Sequence, residues 1–138
     1  MQVLTAREAS IFACVVDTLL APAAPLPPVH DTDAVAAFDR WLALAPAVNR
    51  AALRAVLLAL ELAPRLTRRR TRWRRLAPAE RLAVVGALER RGARPLVEAV
   101  RATAAVSYYG DAGVSALLGY APATATAQAP AHRPAVPA

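Results

Sequence analysis

The sequence predicts an all-α protein: a compact bundle of about five main helices followed by a short C-terminal helix. Residues that favour helices, such as alanine, leucine and arginine, dominate the composition, and β-branched or aromatic runs are few. Apolar residues recur three and four positions apart in several segments. Prolines and glycines separate these segments at positions typical of helix ends. A chain of 138 residues with these features is expected to fold as one domain.

The first helix is predicted to begin after Thr5, because Thr5 and Glu8 have the spacing of a capping box. Its apolar face ends at the segment 21–30, where four prolines prevent the helix from continuing. We expect this segment to be extended but ordered, with Leu26 and Val29 docked on the core.

The second helix is predicted to begin near Asp31 or Asp33, since an aspartate carboxylate can accept hydrogen bonds from first-turn amides. Pro46 ends this helix and suits the first turn of the third, which covers about 46–63. The third helix is apolar nearly all round, a pattern typical of a buried helix. We therefore expect it at the centre of the bundle.

The fourth helix is predicted to begin at Pro78 and to end before Gly92. Proline suits the first helical turn, and glycine favours the left-handed conformation that ends a helix. Pro95 opens the fifth helix, and Gly110 is expected to end it. Asp111 can then cap the short last helix.

The domain boundary is predicted near residue 122. Residues 1–122 are expected to form the helical domain, and the Pro- and Ala-rich segment 123–138 is expected to be disordered because it holds few large apolar residues. No uncharged apolar stretch is long enough for a transmembrane helix. The chain as given has no signal peptide or twin-arginine motif, so a cytoplasmic location is expected, with export alongside a partner left open.

The positive charge is concentrated in one segment. All 17 basic side chains are arginine, seven of them lie within 65–75 together with Trp73, and the formal net charge is +7. Such a segment can grip an acidic protein surface, or it can neutralise phosphates and stack a base. No recognised nucleic-acid-binding motif accompanies it. It also lacks the apolar face that a membrane-surface helix needs, so the sequence argues against nucleic-acid and membrane partners.

The sequence predicts neither a catalytic nor a metal-binding arrangement. Cys14 is the only cysteine and lies in an apolar run, which is typical of a small buried residue. His30 and His132 lie in proline-rich segments without other ligands nearby. The acidic residues of the helices occur singly: Asp17, Asp39, Glu61, Glu80, Glu89 and Glu98. We expect them on solvated helix faces or paired with arginines one turn away.

The closing pattern Tyr-Tyr-Gly-Asp at 108–111 and Leu-Gly-Tyr at 118–120 resembles that of a known family. The chain resembles the small third subunit of gluconate 2-dehydrogenase. It is also similar to the helical N-terminal region of long-chain alcohol oxidases of the glucose–methanol–choline class. The resemblance covers about 4–122, and the other segments that carry it are 42–46, 57–64 and 76–81.

The resemblance implies an accessory polypeptide that binds and stabilises or matures a large FAD-dependent alcohol or sugar oxidoreductase. In that family the flavin, the substrate pocket and the catalytic base belong to the large subunit. The resemblance therefore implies no catalytic residue, cofactor or metal in this chain, with FAD on the partner. The alternative interpretation is a basic interaction module that binds nucleic acid or an acidic protein through 65–75.

Interface candidates follow from residue type, because tyrosine, tryptophan and arginine dominate protein–protein hot spots. They come from the arginine-rich segment and from the closing stretch of the domain. The candidates are Arg69, Arg70, Arg72, Trp73, Arg74, Tyr108, Tyr109, Asp111 and Tyr120.

Overall fold

The computed structural model describes residues 1–67 and 70–120. Its α-helices are α1 (Ala6–Leu20), α2 (Ala34–Leu44), α3 (Ala47–Leu62), α4 (Pro78–Leu88), α5 (Arg94–Tyr109) and α6 (Ala112–Leu117). Short 3-10 turns lie at Val29–Asp31, Ala63–Thr67 and Trp73–Arg75, and the described part of the chain contains no strand. The prediction of five main helices and a short last one is confirmed. The predicted disordered tail, 123–138, lies outside the described residues.

The helix ends follow the local sequence closely. Thr5 and Glu8 form the predicted capping box: the Glu8 amide donates to Thr5 Oγ1 at 3.2 Å, and the Thr5 amide donates to Glu8 Oε2 at 2.8 Å. Gly92 adopts the left-handed conformation (φ 87°) after α4. Asp33 occupies the cap position of α2, but its carboxylate accepts from Arg40 instead of a first-turn amide.

The central helix is α1. It packs against α2, α3, α4 and α5, and its buried stripe includes Ile11, Phe12, Val15 and Val16. Phe12 stacks on Phe38 of α2 with ring centroids 4.0 Å apart. A helix buried on several sides fixes the positions of its neighbours, so the bundle is organised around α1.

The prediction that the third helix lies at the centre is wrong. Only Leu57 and Glu61 of α3 are fully buried, and α3 lies on the outside of the bundle. The all-round apolar pattern arises because alanines and a few larger apolar residues occupy the outer face, which stays exposed. The segment before α2 behaves as expected, since Val29 is buried and Leu26 packs against the core.

Asp39 is buried in α2 and fastens the start of the chain. Its carboxylate accepts hydrogen bonds from the backbone amides of Gln2, Val3 and Leu4, the last two at 3.0 and 2.7 Å. Burial would raise the pKa of Asp39, but the amides of Leu4, Gln2 and Val3 outweigh it and lower the pKa below its ordinary value. The prediction of a solvated carboxylate is therefore wrong for Asp39.

Glu8 is also buried, and it joins α1 to α3. Arg54 donates from Nε to Glu8 Oε1 at 2.8 Å, in addition to the bonds that Glu8 makes within its own capping box. Burial alone would raise the pKa of Glu8, but the hydrogen bonds from Arg54 and Thr5 lower it. One carboxylate thus starts α1 and holds a neighbouring helix against it.

Replacing Asp39 by Asn should destabilise the protein by about 1–3 kcal/mol near pH 7, because three amides lose a charged acceptor. The pKa of Asp39 is lowered by folding, so its stabilisation is present above the unfolded value of about 3.9 and is lost as the pH falls through the folded value. The free-energy difference between the two proteins should therefore shrink from about pH 5 to about pH 2, as measured by urea denaturation.

The matched control is Asp31→Asn, which makes the same chemical change at an exposed position. It should alter the free energy of unfolding by less than about 0.5 kcal/mol. A penalty for Asp39→Asn that stays the same at low pH would contradict the assigned role of the charge.

Candidate partner interface

Trp73 lies in the core and not on the surface. It is only 1% exposed and belongs to the hydrophobic core with residues of α1 and α5. The 3-10 turn Trp73–Arg75 carries it there, since that turn contacts both α1 and α3. A tryptophan buried to this extent cannot form part of an exposed interface, so the expectation of an exposed Trp73 is wrong.

Arg74 is partly buried and paired with Glu61 of α3. Its Nε lies 3.0 Å from Glu61 Oε1, and its backbone amide donates to Glu61 Oε2 at 3.3 Å. Arg74 also donates to Ser10 Oγ of α1 at 3.4 Å. The side chain of Glu61 has no exposed surface, so the expectation of a solvated carboxylate is wrong here too. Arg74 therefore links α1 and α3 through hydrogen bonds to Ser10 and Glu61.

Other arginines of the segment remain on the surface. Arg70 and Arg72 are exposed, as are Arg65 and Arg75. Arg69 lies outside the described residues. The described part of the segment therefore has a basic surface, as predicted, but Trp73 is buried and Arg74 is partly buried beneath it.

Tyr108 also belongs to the interior. Its side chain has no exposed surface, and its hydroxyl donates to the carbonyl oxygen of Pro27 at 2.5 Å. Burial raises the pKa of Tyr108. The hydroxyl joins the end of α5 to the proline-rich segment before α2, a structural role that satisfies a buried polar group.

Tyr109 and Tyr120 are the exposed tyrosines. Tyr109 lies edge-on to Tyr108, with ring centroids 5.2 Å apart, and the backbones of both exposed tyrosines meet at Ser115 of α6. The Ser115 hydroxyl donates to the carbonyl oxygen of Tyr109 at 2.6 Å, and its carbonyl accepts from the amide of Tyr120 at 2.9 Å. This end of the domain therefore presents two tyrosines to solvent.

Asp111 starts α6 and connects it to α2. Its Oδ1 accepts from the amides of Gly113 and Val114 at 2.9 and 3.0 Å, as the predicted cap requires. Its Oδ2 accepts from the amide of Asp33 at 2.9 Å. Hydrogen bonds lower the pKa of Asp111, and the bond from the Asp33 amide contributes more than those from the α6 amides. Its geometry accounts for this residue without a partner protein.

Gly110 follows α5 for a reason that the sequence does not reveal. Its φ of −76° is one that any residue adopts. A Cβ at this position, however, would lie 2.6 Å from the carbonyl oxygen of Val106. Glycine is required here by close approach, whereas Gly119 after α6 has the left-handed φ of 70°.

The outer face of α3 is an exposed apolar surface that sequence reasoning missed. Five positions at alternating spacings of four and three residues share this face, and all five are exposed. We call it the α3 stripe: Val48, Ala52, Ala55, Ala59 and Leu62. Its length is about 21 Å at 1.5 Å per residue. The all-round apolar pattern is the available sequence signal, but it does not distinguish a helix buried within this chain from one with an exposed apolar face.

A second apolar surface is the groove between α2 and α5. It is lined by Ala37 and Trp41 on one side and by Ala102, Thr103, Val106 and Ser107 on the other. Trp41 and Val106 are both more than half exposed. The exposed tryptophan of this protein is thus Trp41, which was not among the candidates.

The two groups of predicted interface residues lie apart along α5. Trp73 lines a cavity beside Val97, whereas Tyr109 lies twelve residues further along the helix, about 18 Å away along its axis. The structure therefore does not bring the arginine-rich segment and the exposed tyrosines into one compact site.

No family model, curated protein or solved structure matches this chain.

Cys14, in α1, is partly buried and packs against the core. Burial raises the pKa of the Cys14 thiol, which disfavours the reactive thiolate. Within residues 1–67 and 70–120, no group of three or more His, Cys, Asp or Glu side chains is arranged to hold a metal ion. None of the helices described there is both long and apolar enough to cross a membrane.

Trp73→Ala should lower the free energy of unfolding by about 3–5 kcal/mol, because it empties a large volume of the core. Trp41→Ala removes the same side chain from an exposed site and should cost less than about 1.5 kcal/mol. Chemical denaturation followed by circular dichroism measures both. Similar losses for the two variants would contradict the interior location of Trp73.

Gly110→Ala should destabilise the protein by about 1–3 kcal/mol, because the new methyl group would press on the Val106 carbonyl. Gly86→Ala is the matched control within α4, where the nearest atom is the flexible end of Arg90 at 3.4 Å. It should be neutral or stabilising by up to about 1 kcal/mol. The reverse order of the two melting temperatures would refute the steric explanation.

Proposed function

We propose that this chain is a non-catalytic small subunit that binds and stabilises or matures a large FAD-dependent oxidoreductase of the glucose–methanol–choline class. The support is the resemblance of 4–122 to the small third subunit of gluconate 2-dehydrogenase, together with the all-α fold. In this proposal the flavin and the reaction belong to the partner. The role of this chain is to cover a surface of that partner.

The α3 stripe is the structural observation that supports a protein partner, and the class of that partner follows from the resemblance. Val48 is 77% exposed and Leu62 is 41% exposed, with alanines between them. Contiguous apolar surface of this kind is typical of protein interaction sites. The small side chains in the middle allow a partner's helix or sheet to approach the α3 backbone closely, while Val48 and Leu62 provide larger contacts at the two ends.

The charges beyond the stripe suggest the chemistry of the partner surface. The exposed arginines Arg65, Arg70 and Arg72 follow α3 in the chain. An acidic patch on the large subunit would complement them and would speed association at low ionic strength. The same charges disfavour a second copy of this chain as the occupant, because like charges would then be brought together.

The alternative, a basic module for nucleic acid, has less support. Trp73 is buried and therefore not available to stack a base. Arg74 is engaged with Glu61, which removes one guanidinium from those available to phosphates. An acidic protein surface requires only the remaining exposed arginines, so it fits the observations better.

The experiment is co-expression of this chain with a glucose–methanol–choline-type flavoprotein encoded beside it. The two should elute as one complex on size exclusion, and the FAD content of the flavoprotein should rise in the presence of this chain. Leu62→Glu should dissociate the complex, because it introduces a charge into the α3 stripe.

Leu82→Glu is the matched control, since Leu82 is an exposed leucine of α4 outside the stripe. It should leave the complex intact, and both variants should melt within a few degrees of the unaltered chain. Two separate peaks with unchanged FAD content would refute the subunit proposal. Equal effects of the two variants would refute the choice of surface.

A further inference from the structure

The groove between α2 and α5 has a defined direction. The Asp33 amide donates to Asp111 Oδ2 at 2.9 Å, which places the start of α2 beside the end of α5. Further along α2, Phe38 lines a pocket with Thr103, so the two helices run in opposite directions. Trp41 lies eight residues after Asp33, about 12 Å along the helix axis. It therefore lies at the end of the groove that is remote from Asp111.

The lining of this groove is largely apolar. Trp41 is 52% and Val106 is 75% exposed, so both offer apolar surface to an occupant. The two hydroxyls of the lining, on Thr103 and Ser107, donate to carbonyl oxygens of α5 at 2.9 Å. A suitable occupant therefore buries apolar surface and brings few backbone N–H groups that would need an acceptor. Proline meets both conditions, because its ring is apolar and its backbone has no N–H.

The described chain ends close to the other end of this groove. The amide of Tyr120, the last described residue, donates to the carbonyl oxygen of Ser115 at 2.9 Å. The Ser115 hydroxyl donates in turn to the carbonyl oxygen of Tyr109, at the end of α5, at 2.6 Å. Tyr109 lies three residues beyond Val106, about 4.5 Å along the axis of α5. The chain therefore continues from a point beside the groove.

The sequence after Tyr120 contains a segment of the kind that such a groove accepts. Residues 121–138 include Pro134-Ala135-Val136-Pro137, which is a PxxP pattern. Segments with this pattern dock as polyproline II helices on aromatic-lined grooves. Because that helix has three residues per turn, the first and last prolines of the pattern would lie on one edge and contact one surface together.

We propose that the segment 134–137 docks in the groove between α2 and α5 of the same chain, with its two proline rings against Trp41 and Val106. The 13 residues between Tyr120 and Pro134 span up to about 40 Å at 3.1 Å per residue. The whole of α2 is only about 17 Å long, so every part of the groove is within reach.

The tether between Tyr120 and the segment 134–137 favours this occupant over others. It raises the effective concentration of the segment at the groove to the order of 1 mM. The same segment of a second copy, or a proline-rich segment of another protein, is present only at its concentration in solution. The site is a property of this chain and does not rest on the proposed subunit function.

The test is a competition experiment on the full chain. A synthetic peptide of residues 131–138 is titrated into the wild type and into Pro134→Asp, in which a charge replaces one ring of the docked segment. Binding is followed by NMR through the indole N–H signal of Trp41, with the buried Trp73 as the internal reference. The peptide should bind Pro134→Asp at least about threefold more tightly, because the wild-type groove is free for about a third of the time or less.

Pro122→Asp is the matched control, because it makes the same change after Tyr120 but outside the PxxP pattern. It should bind the peptide as weakly as the wild type does. In the Pro134→Asp background, Val106→Glu should abolish peptide binding, because it places a charge in the groove. Leu82→Glu, at an exposed position of α4, should leave peptide binding unchanged.

The proposal is overturned if the peptide produces no saturable shift of the Trp41 signal in Pro134→Asp. It is also overturned if the wild type and Pro134→Asp bind the peptide equally, because the groove would then be open to a proline-rich segment of another protein. The Trp41 signal of the wild type should stay constant on dilution. A shift toward the Pro134→Asp signal on dilution would show that the segment comes from a second copy, and would overturn docking within one chain.

Discussion

The carboxylate of Glu61 lies in the interior of the bundle, and Arg74, in the connection between α3 and α4, pairs with it. Arg74 meets it with both its guanidinium and its backbone amide. A buried charge that loses its partner is among the costliest defects in a small protein. Arg74 must therefore lie beside Glu61. This position places the preceding residue, Trp73, in the core. One ion pair thus holds the turn Trp73–Arg75 against α3.

The same principle holds at two other places. Asp39 meets the amides at the start of the chain, and Glu8 meets Arg54. In each case the donors come from a segment distant in sequence, so the carboxylate ties two parts of the fold together. Because the N–H groups and guanidiniums satisfy the charge, hydrogen bonding outweighs burial and lowers the pKa of both acids. The helices of this protein are packed by apolar side chains, and buried acids set their alignment.

Local sequence predicted the helices well and their arrangement poorly. The capping box of Thr5 and Glu8 and the left-handed glycine after α4 depend on neighbours within a few residues, so short patterns sufficed for them. The burial of Glu61 depends on Arg74, thirteen residues away, and no periodicity reveals such a pair. The apolar pattern of α3 predicts a central position because alanine counts as apolar, although its small side chain tolerates exposure.

The exposure of the interface candidates was predicted only in part for the same reason. Residue type suggests contact chemistry, but the fold decides which side chains reach the surface. Of the aromatic candidates, Tyr109 and Tyr120 are exposed, whereas Trp73 and Tyr108 complete the core. Ala59, which no motif marks, belongs both to the α3 stripe and to the lining of the cavity beside Val97. A partner on the stripe would therefore cover part of that lining.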